Sequence, residues 1–367
     1  MPAPRKYHIL EIVQSLEKGG RTTRFSDTVS ALRVHEHKVL PAVFGEPAPW
    51  VSIDGLQKLD RAKSKLGIIR ELCALITENN IDLVHAHCEF TQLYAGLAAK
   101  CCGVPLVSTF HRSELSKYKP SISNKLIRWA SGACVAVSEN RMRLLTKNMG
   151  IASNKCYVVH GGTPVDDLPD TQMRSNAKQS LDLDARFCHL LSVGHLGPIK
   201  GHQDTLEAIA SLPENVRTSL RLHIAGSGSE QEQAAITSKV EALGLQQEVS
   251  LLGQITNVSD WMTACDLFIL PSHEEAFGLV FIEAGAKGLA TIATRVGGIP
   301  DIIEHQETGL LVPPKTPSAL SDAIRQLTEN ADLRQTMGQK AHKRVASRFS
   351  TDNMINQYLA IFNRVSS

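Results

Sequence analysis

Long apolar runs are missing from these 367 residues. None approaches the roughly 18 uninterrupted apolar residues of a membrane span. Met1 to Lys6 leads straight into a strand-like segment, with no apolar signal region and no cleavage site, so a cytoplasmic protein is expected. Cysteine never occurs at Cys-x-x-Cys spacing. Cys73, Cys88, Cys101, Cys102, Cys134, Cys156, Cys188 and Cys265 mostly sit in apolar runs. That excludes a clustered zinc site or a disulfide framework and favours buried, reduced thiols. Excess charge is lacking too. The formal net charge is +2 and charged residues make up 21%, which excludes a disordered chain. No nucleic-acid partner is expected.

Apolar residues reach 43%, enough for a sizeable core. At about 150 residues per domain the length implies two domains. The charge is divided unevenly between the halves. Up to Leu168 there are 22 lysines and arginines against 15 acids, and beyond it 17 against 22. The first half is therefore the one suited to an anionic partner.

Short apolar runs alternate with helical patterns. Tyr7 to Val13, Asp82 to His87, Gly103 to Thr109, Ala133 to Ser138 and Cys156 to His160 read as strands, with helices between them. After an irregular stretch from Gly161 to Asp184, read as a linker and a short helix, the alternation resumes. Cys188 to Val193, Leu220 to Ala225, Val249 to Leu252, Leu267 to Leu270, Ala290 to Ala293 and Gly309 to Val312 are the further strands. This is the signature of α/β architecture: two doubly wound, Rossmann-like domains. The first covers 1–165 and the second 185–345, with the last helix, 351–365, packing back on the first. Ligands sit at the carboxyl ends of strands in such sheets, so an inter-domain cleft is the expected site.

The richest segment runs from Leu270 to Gly285. A strand ends, a polar loop follows, then Phe277-Gly278 and an apolar helix. The helix start offers free amides and a positive dipole end, which suits a phosphate. Glu275 precedes the helix and Glu283 follows eight residues on. Two carboxylates bracketing a phosphate site suit the hydroxyls of a sugar. Gly226-Ser-Gly-Ser-Glu-Gln231 lacks the third glycine of a dinucleotide fingerprint, and an NAD enzyme is disfavoured.

Here the chain resembles the GT-B glycosyltransferases of the large retaining group 1, family 4 type. Their motif is a glutamate, seven residues and a second glutamate, with Phe-Gly after the first. Glu11 to Gly20, Asp82-Leu-Val-His-Ala-His87, Val107-Ser-Thr-Phe-His111 and Val135 to Glu139 resemble the family in order. So do Val193 to Gly201, Ile224 to Gly228, Leu252-Gly-Gln254 and Val296-Gly-Gly298 through Val312. The resemblance implies that Glu275 contacts donor-sugar hydroxyls and Glu283 the ribose. Amides around Phe277, Gly278 and Leu279 would hold sugar and phosphates. Lys200 and His195 would lie on the diphosphate, with Gln254 nearby. Gly19 and Gly20 would let the first loop approach the donor, and His111 would sit near the reacting sugar. His111 and Glu275 are thus the expected catalytic residues. Two departures stand out: Gly194-His195 where the family has Gly-Arg, and Val159 to Asp166 where relatives show Asn-Gly.

The implied activity is retaining transfer from a nucleotide-sugar, UDP-linked, to a hydroxyl of a glycan or lipid-linked acceptor such as lipopolysaccharide or another surface polysaccharide. No cofactor is implied, and no Asp-x-Asp stands out to hold a metal. The rivals are a silent relative acting as a sugar-binding or partner subunit, and an epimerase. Between His111 and Ala130, Arg112, Lys117, Lys119, Lys125 and Arg128 face one acid, Glu114, with Tyr118 and Trp129 interleaved. This stretch is the expected acceptor surface, with peripheral contact to an anionic membrane as a further expectation.

Overall fold

The computed structural model describes residues 5–17, 19–112, 115 and 118–367. Glu114 and Lys117 of the basic stretch lie outside the described residues. The chain forms two compact units. One runs to Gly162 and takes in Thr351–Ser367, and the other is Thr163–Ser350.

Among the described residues the first unit holds seven strands: β1 (His8–Val13), β2 (Lys38–Phe44), β3 (Gln57–Leu59), β4 (Leu83–Ala86), β5 (Leu106–Phe110), β6 (Ala133–Ala136) and β7 (Cys156–Val158). Their order is β3-β2-β1-β4-β5-β6-β7, all parallel. The central strands are buried along their length, as a sheet covered on both faces requires. Helices Lys65–Glu78 and Glu89–Cys102 cover one face through Ile68, Leu72, Ala95 and Ala99. Helices Gly20–Val34 and Thr351–Val365 cover the other, where Ile355, Tyr358 and Phe362 pack on Ile9, Leu83 and Val107. The strands β2 and β3 carry weak sequence signals. Pro41 interrupts the first and lacks a ladder donor, and the second is a short edge with exposed Gln57 and Lys58.

The second unit holds β8 (Cys188–Val193), β9 (Leu220–Ala225), β10 (Val249–Gly253), β11 (Leu267–Leu270), β12 (Ala290–Thr294) and β13 (Gly309–Val312). The order is β10-β9-β8-β11-β12-β13, again all parallel. From Thr163 on, the stretch read as a linker belongs to this unit. Its helix Thr171–Ser180 is tied down by Arg174, which donates to the carbonyls of Thr263 (3.3 Å) and Lys287 (2.6 Å), and by Lys178, paired with Asp266 at 2.8 Å. Among the described residues no helix is long and apolar enough to cross a membrane.

In each sheet the strand order reverses once, between β1 and β4 and between β8 and β11. Helices on either side of such a point diverge to opposite faces and leave a crevice at the strands' carboxyl ends.

Candidate functional site

In the second unit Lys200 and Glu275 meet across the reversal. Lys200 closes the short 3-10 turn Pro198–Lys200 after β8, and Glu275 lies in the loop after β11. Lys200 Nζ donates to Glu275 Oε2 at 2.6 Å. Their two loops are tied together. The His273 backbone N–H donates to the Ile199 carbonyl at 2.7 Å, and His273 Nε2 pairs with Asp204 Oδ2 at 2.8 Å. Gly297, at φ 53°, packs its backbone against the Glu275 peptide, where a Cβ would come within 1.6 Å of the Glu275 carbonyl oxygen. Gly298 N–H donates to that oxygen at 3.2 Å. The Glu275 backbone is therefore held against the Gly297-Gly298 turn.

Helix Leu279–Ala286 begins at Gly278, and no side chain caps it. Gly278 has φ 99°, and a Cβ there would meet Phe281 Cδ2 at 2.5 Å. The helix buries Phe281, Ile282 and Ala284 and leaves Leu279, Val280 and Glu283 half-buried on one shared face. Phe277 is buried. A helix start without a side-chain cap, a lysine and two carboxylates thus cluster together.

His195 and Gln254 also follow strand ends. Gln254 is exposed after the edge strand β10, with β9 and β8 between it and β11. Gly197 N–H donates to His195 Nδ1 at 3.0 Å, which leaves Nε2–H 3.6 Å from Glu232 Oε2. Glu232 itself caps helix Glu230–Ala242, accepting from the Ser229 N–H at 2.7 Å, and that bond above all holds its carboxyl below the ordinary range. The histidine side chain thus faces the capping carboxylate.

The first unit carries a buried polar network that the sequence reading passed over. Register places Glu11 on β1 opposite His85 on β4, and period-2 alternation adds His87 to the same face. Glu11 Oε1 meets His85 Nδ1 at 2.8 Å and Oε2 meets His87 Nε2 at 2.6 Å. His87 Nδ1 meets His111 Nε2 at 3.0 Å. His85 Nε2 meets Thr109 Oγ1 at 2.8 Å. Burial alone would raise the Glu11 carboxyl, but the two imidazoles outweigh it and hold its pKa at about 2. Burial first, and His85 next, push His87 down to about 4 against the pull of Glu11. Burial also sets His111 well below an ordinary imidazole, helped by His87 and Arg24. The available signal was a carboxylate and two histidines inside otherwise apolar strands.

The family comparisons cover most of the chain. Residues 19–167 match the model of Glycosyltransferase Family 4 and residues 173–344 that of Glycosyl transferases group 1. The chain belongs to the group 1 glycosyltransferases. N-acetyl-alpha-D-glucosaminyl L-malate synthase of Bacillus anthracis is 26% identical over 364 residues, covering 96% of this chain and 91% of that one. D-inositol 3-phosphate glycosyltransferase of Jonesia denitrificans is 27% identical over 308 residues, covering 77% and 72%. The crystal structure of Anabaena HepE in complex with UDP superposes with a TM-score of 0.87 at 20% identity, covering 97% and 99%. The shared fold is GT-B.

Two details of this glycosyltransferase depart from the sequence reading. It does contain an Asp-x-Asp, Asp182-Leu-Asp184, but the pair precedes β8, at the end of the sheet away from Glu275. Asp184 is taken by Arg186 at 2.6 Å, which above all holds its carboxyl at about 2. Glu11, His85 and His87 place three potential metal-binding atoms within 4.8 Å of one another. Each of those atoms is already hydrogen-bonded within the network, so the cluster is a satisfied hydrogen-bond system.

The basic stretch of the glycosyltransferase also divides. Arg112 is largely buried, 3.5 Å from Glu89 and stacked over Phe110, so it is not an open surface cation. Tyr118 is core, donating to the Arg112 carbonyl at 3.1 Å. Lys119, Lys125 and Arg128 remain exposed, with Arg128 donating to the Gly150 carbonyl at 3.0 Å. Around Gly19 a Cβ would meet nothing within 4 Å, and Gly20 opens the following helix.

Proposed function

We propose that this glycosyltransferase moves a sugar from a UDP-sugar to a hydroxyl of an anionic acceptor, with retention at the anomeric carbon and no metal. The observation that carries the reading is the Lys200–Glu275 pair at 2.6 Å beside the uncapped start of helix Leu279–Ala286. A lysine, a dipole end and free amides are what a departing diphosphate needs. Lys200 then trades part of its contact with Glu275 for the diphosphate, and Glu275 turns its acceptor oxygens to the sugar hydroxyls. Glu283, one turn into the helix, takes the ribose. Amides at Phe277, Gly278 and Leu279 bind the phosphates, with His195 and Gln254 at the rim. Positioning and leaving-group stabilisation supply the catalysis. The uracil preference is supported by the UDP complex of HepE.

The acceptor belongs to the basic first unit. Lys119, Lys125 and Arg128 suit a phosphate or carboxylate, and the two relatives are named for L-malate and inositol 3-phosphate as substrates or products. A glycolipid with an anionic head meets the same requirement. Gly19 and Gly20 lie at the start of the helix after β1, His111 directly follows β5, and His111 is assigned to a substrate hydroxyl.

Transfer should be assayed as UDP release from a panel of UDP-sugars with malate, sugar phosphates and anionic glycolipids, in excess EDTA. UDP release that depends on one acceptor and survives chelation supports the reading. Loss on chelation with rescue by Mg²⁺ or Mn²⁺ contradicts the metal-free step. Nucleotide-sugar binding without turnover on any acceptor would favour a silent sugar-binding subunit.

A further inference from the structure

We propose that Glu11 and His87 are positioning residues for His111, fixing its ring with the proton on Nε2 and the lone pair on Nδ1, so that His111 meets substrate only as a hydrogen-bond acceptor. The inference rests on the reading of His111 as a substrate-facing group.

The Glu11 carboxylate, which only accepts, fixes the direction of donation on the branch that reaches His111. Arginine has no acceptor, so Arg24 must donate. Its Nη2 reaches Tyr358 Oη at 2.9 Å and the Val159 carbonyl at 2.7 Å. The Tyr358 hydroxyl lies 3.2 Å from Thr109 Oγ1, which in turn lies 2.8 Å from His85 Nε2. His85 presents a proton on Nδ1 to Glu11 Oε1, 2.8 Å away, because an ionised carboxylate only accepts. The second carboxylate oxygen accepts from His87 Nε2 at 2.6 Å. A neutral His87 therefore has a bare Nδ1, and the group facing it, His111 Nε2 at 3.0 Å, must be the protonated nitrogen. Among the described residues His111 Nδ1 has no hydrogen-bond partner, and His111 keeps partial exposure while His85 and His87 are fully buried. The Phe25 ring packs edge-on against His87 and closes the remaining side.

Both imidazoles on this branch are depressed by burial, so each carries a single proton at neutral pH, and the carboxylate at the far end stays ionised. The buried anion is thus linked through two rings to the outward-facing nitrogen. A neutral Nδ1 with a lone pair accepts from a hydroxyl. It has no proton to give to a phosphate or carboxylate oxygen. The substrate group at His111 is accordingly a sugar or acceptor hydroxyl, and anion binding falls to other side chains.

The test compares His87→Gln with His87→Phe. Glutamine can donate its amide to Glu11 and accept from His111 Nε2, whereas phenylalanine fills similar space and does neither. His87→Phe should lower kcat about 10- to 100-fold while the nucleotide-sugar KM stays within about twofold, because the tautomer of a reacting-site histidine governs turnover more than binding. His87→Gln should restore the larger part of kcat. Equal turnover in the two variants overturns the proposal. In the wild type, ¹⁵N-histidine NMR should show His111 protonated at Nε2 and bare at Nδ1. The opposite tautomer overturns it even if His87→Phe fails to fold. His111→Ala separates the two levels. Normal turnover in that variant means that the underlying assignment of His111 has failed. Impaired turnover there, with full activity in His87→Phe, means that the relay alone has failed.

Discussion

Gly278 shows how much of the site depends on single atoms. With φ at 99° and Phe281 2.5 Å from a potential Cβ, Gly278→Ala must strain the backbone or move the ring. It should cost about 1–3 kcal/mol in urea unfolding and weaken nucleotide binding with it. Alanine at Gly278 with unchanged stability would show that the loop relaxes freely. The histidines of the first unit set a second test at this scale. His87 ordinarily titrates at 6.5 and is held at about 4 in the fold, so the unfolded chain binds its proton first. Stability should therefore fall as pH drops from about 6.5 toward 4. Glu11, at about 2 against an ordinary 4.5, stabilises above 4.5 and loses that contribution as pH falls toward 2. His87→Gln should reduce the upper part of the acid sensitivity of the first unit, with His111 carrying the remainder. A melting profile between pH 7 and 4 that is the same in both proteins would contradict this.

At the scale of elements, the strands were legible where apolar runs were short and bounded. Cys188–Val193, Leu220–Ala225, Leu267–Leu270 and Gly309–Val312 have the limits that the sequence indicates. Pro41 and the two-residue polar start of β3 hid the edge of the first sheet. The Glu275–Glu283 segment was legible because its loop and helix are contiguous. The Glu11–His87–His111 system was not, because it is assembled from three strands far apart in sequence. Pairing register, which no local pattern reveals, makes it one group. Helix Ile122–Ala130 shows a further feature that spacing alone encodes. Asn124, Ile127 and Ala130 are buried, while Ile122, Leu126 and Trp129 line the opposite face, 79%, 37% and 59% exposed. Exposed Lys119, Lys125 and Arg128 flank that apolar stripe, and Lys100 lies 5.6 Å from the Trp129 ring. An apolar stripe with basic edges fits an anionic lipid surface. The protein should sediment with phosphatidylglycerol vesicles at low salt and not with phosphatidylcholine vesicles. Ile122→Ser with Trp129→Ser should weaken this at least about tenfold, since each buried apolar side chain is worth about 1.5–3 kcal/mol. Equal binding by the double variant would leave charge as the sole attraction.

For the whole molecule, the two units divide labour by charge and by residue chemistry. The basic half carries the histidine network and the exposed lysines, and the acidic half carries the Lys200–Glu275 pair and the helix start. Membership in the group 1 glycosyltransferases accounts for both halves, since one matched model falls on each. The central claim is that the second unit binds a nucleoside diphosphate through Lys200, Glu283 and the amides at Gly278. Calorimetric titration of UDP into the wild type, Lys200→Ala and Glu283→Ala tests it most directly. A charge-assisted hydrogen bond is worth about 1.5–3 kcal/mol, so each variant should bind UDP about 10- to 150-fold more weakly while remaining folded. UDP binding of wild-type strength in both variants, or none in the wild type, would contradict the account.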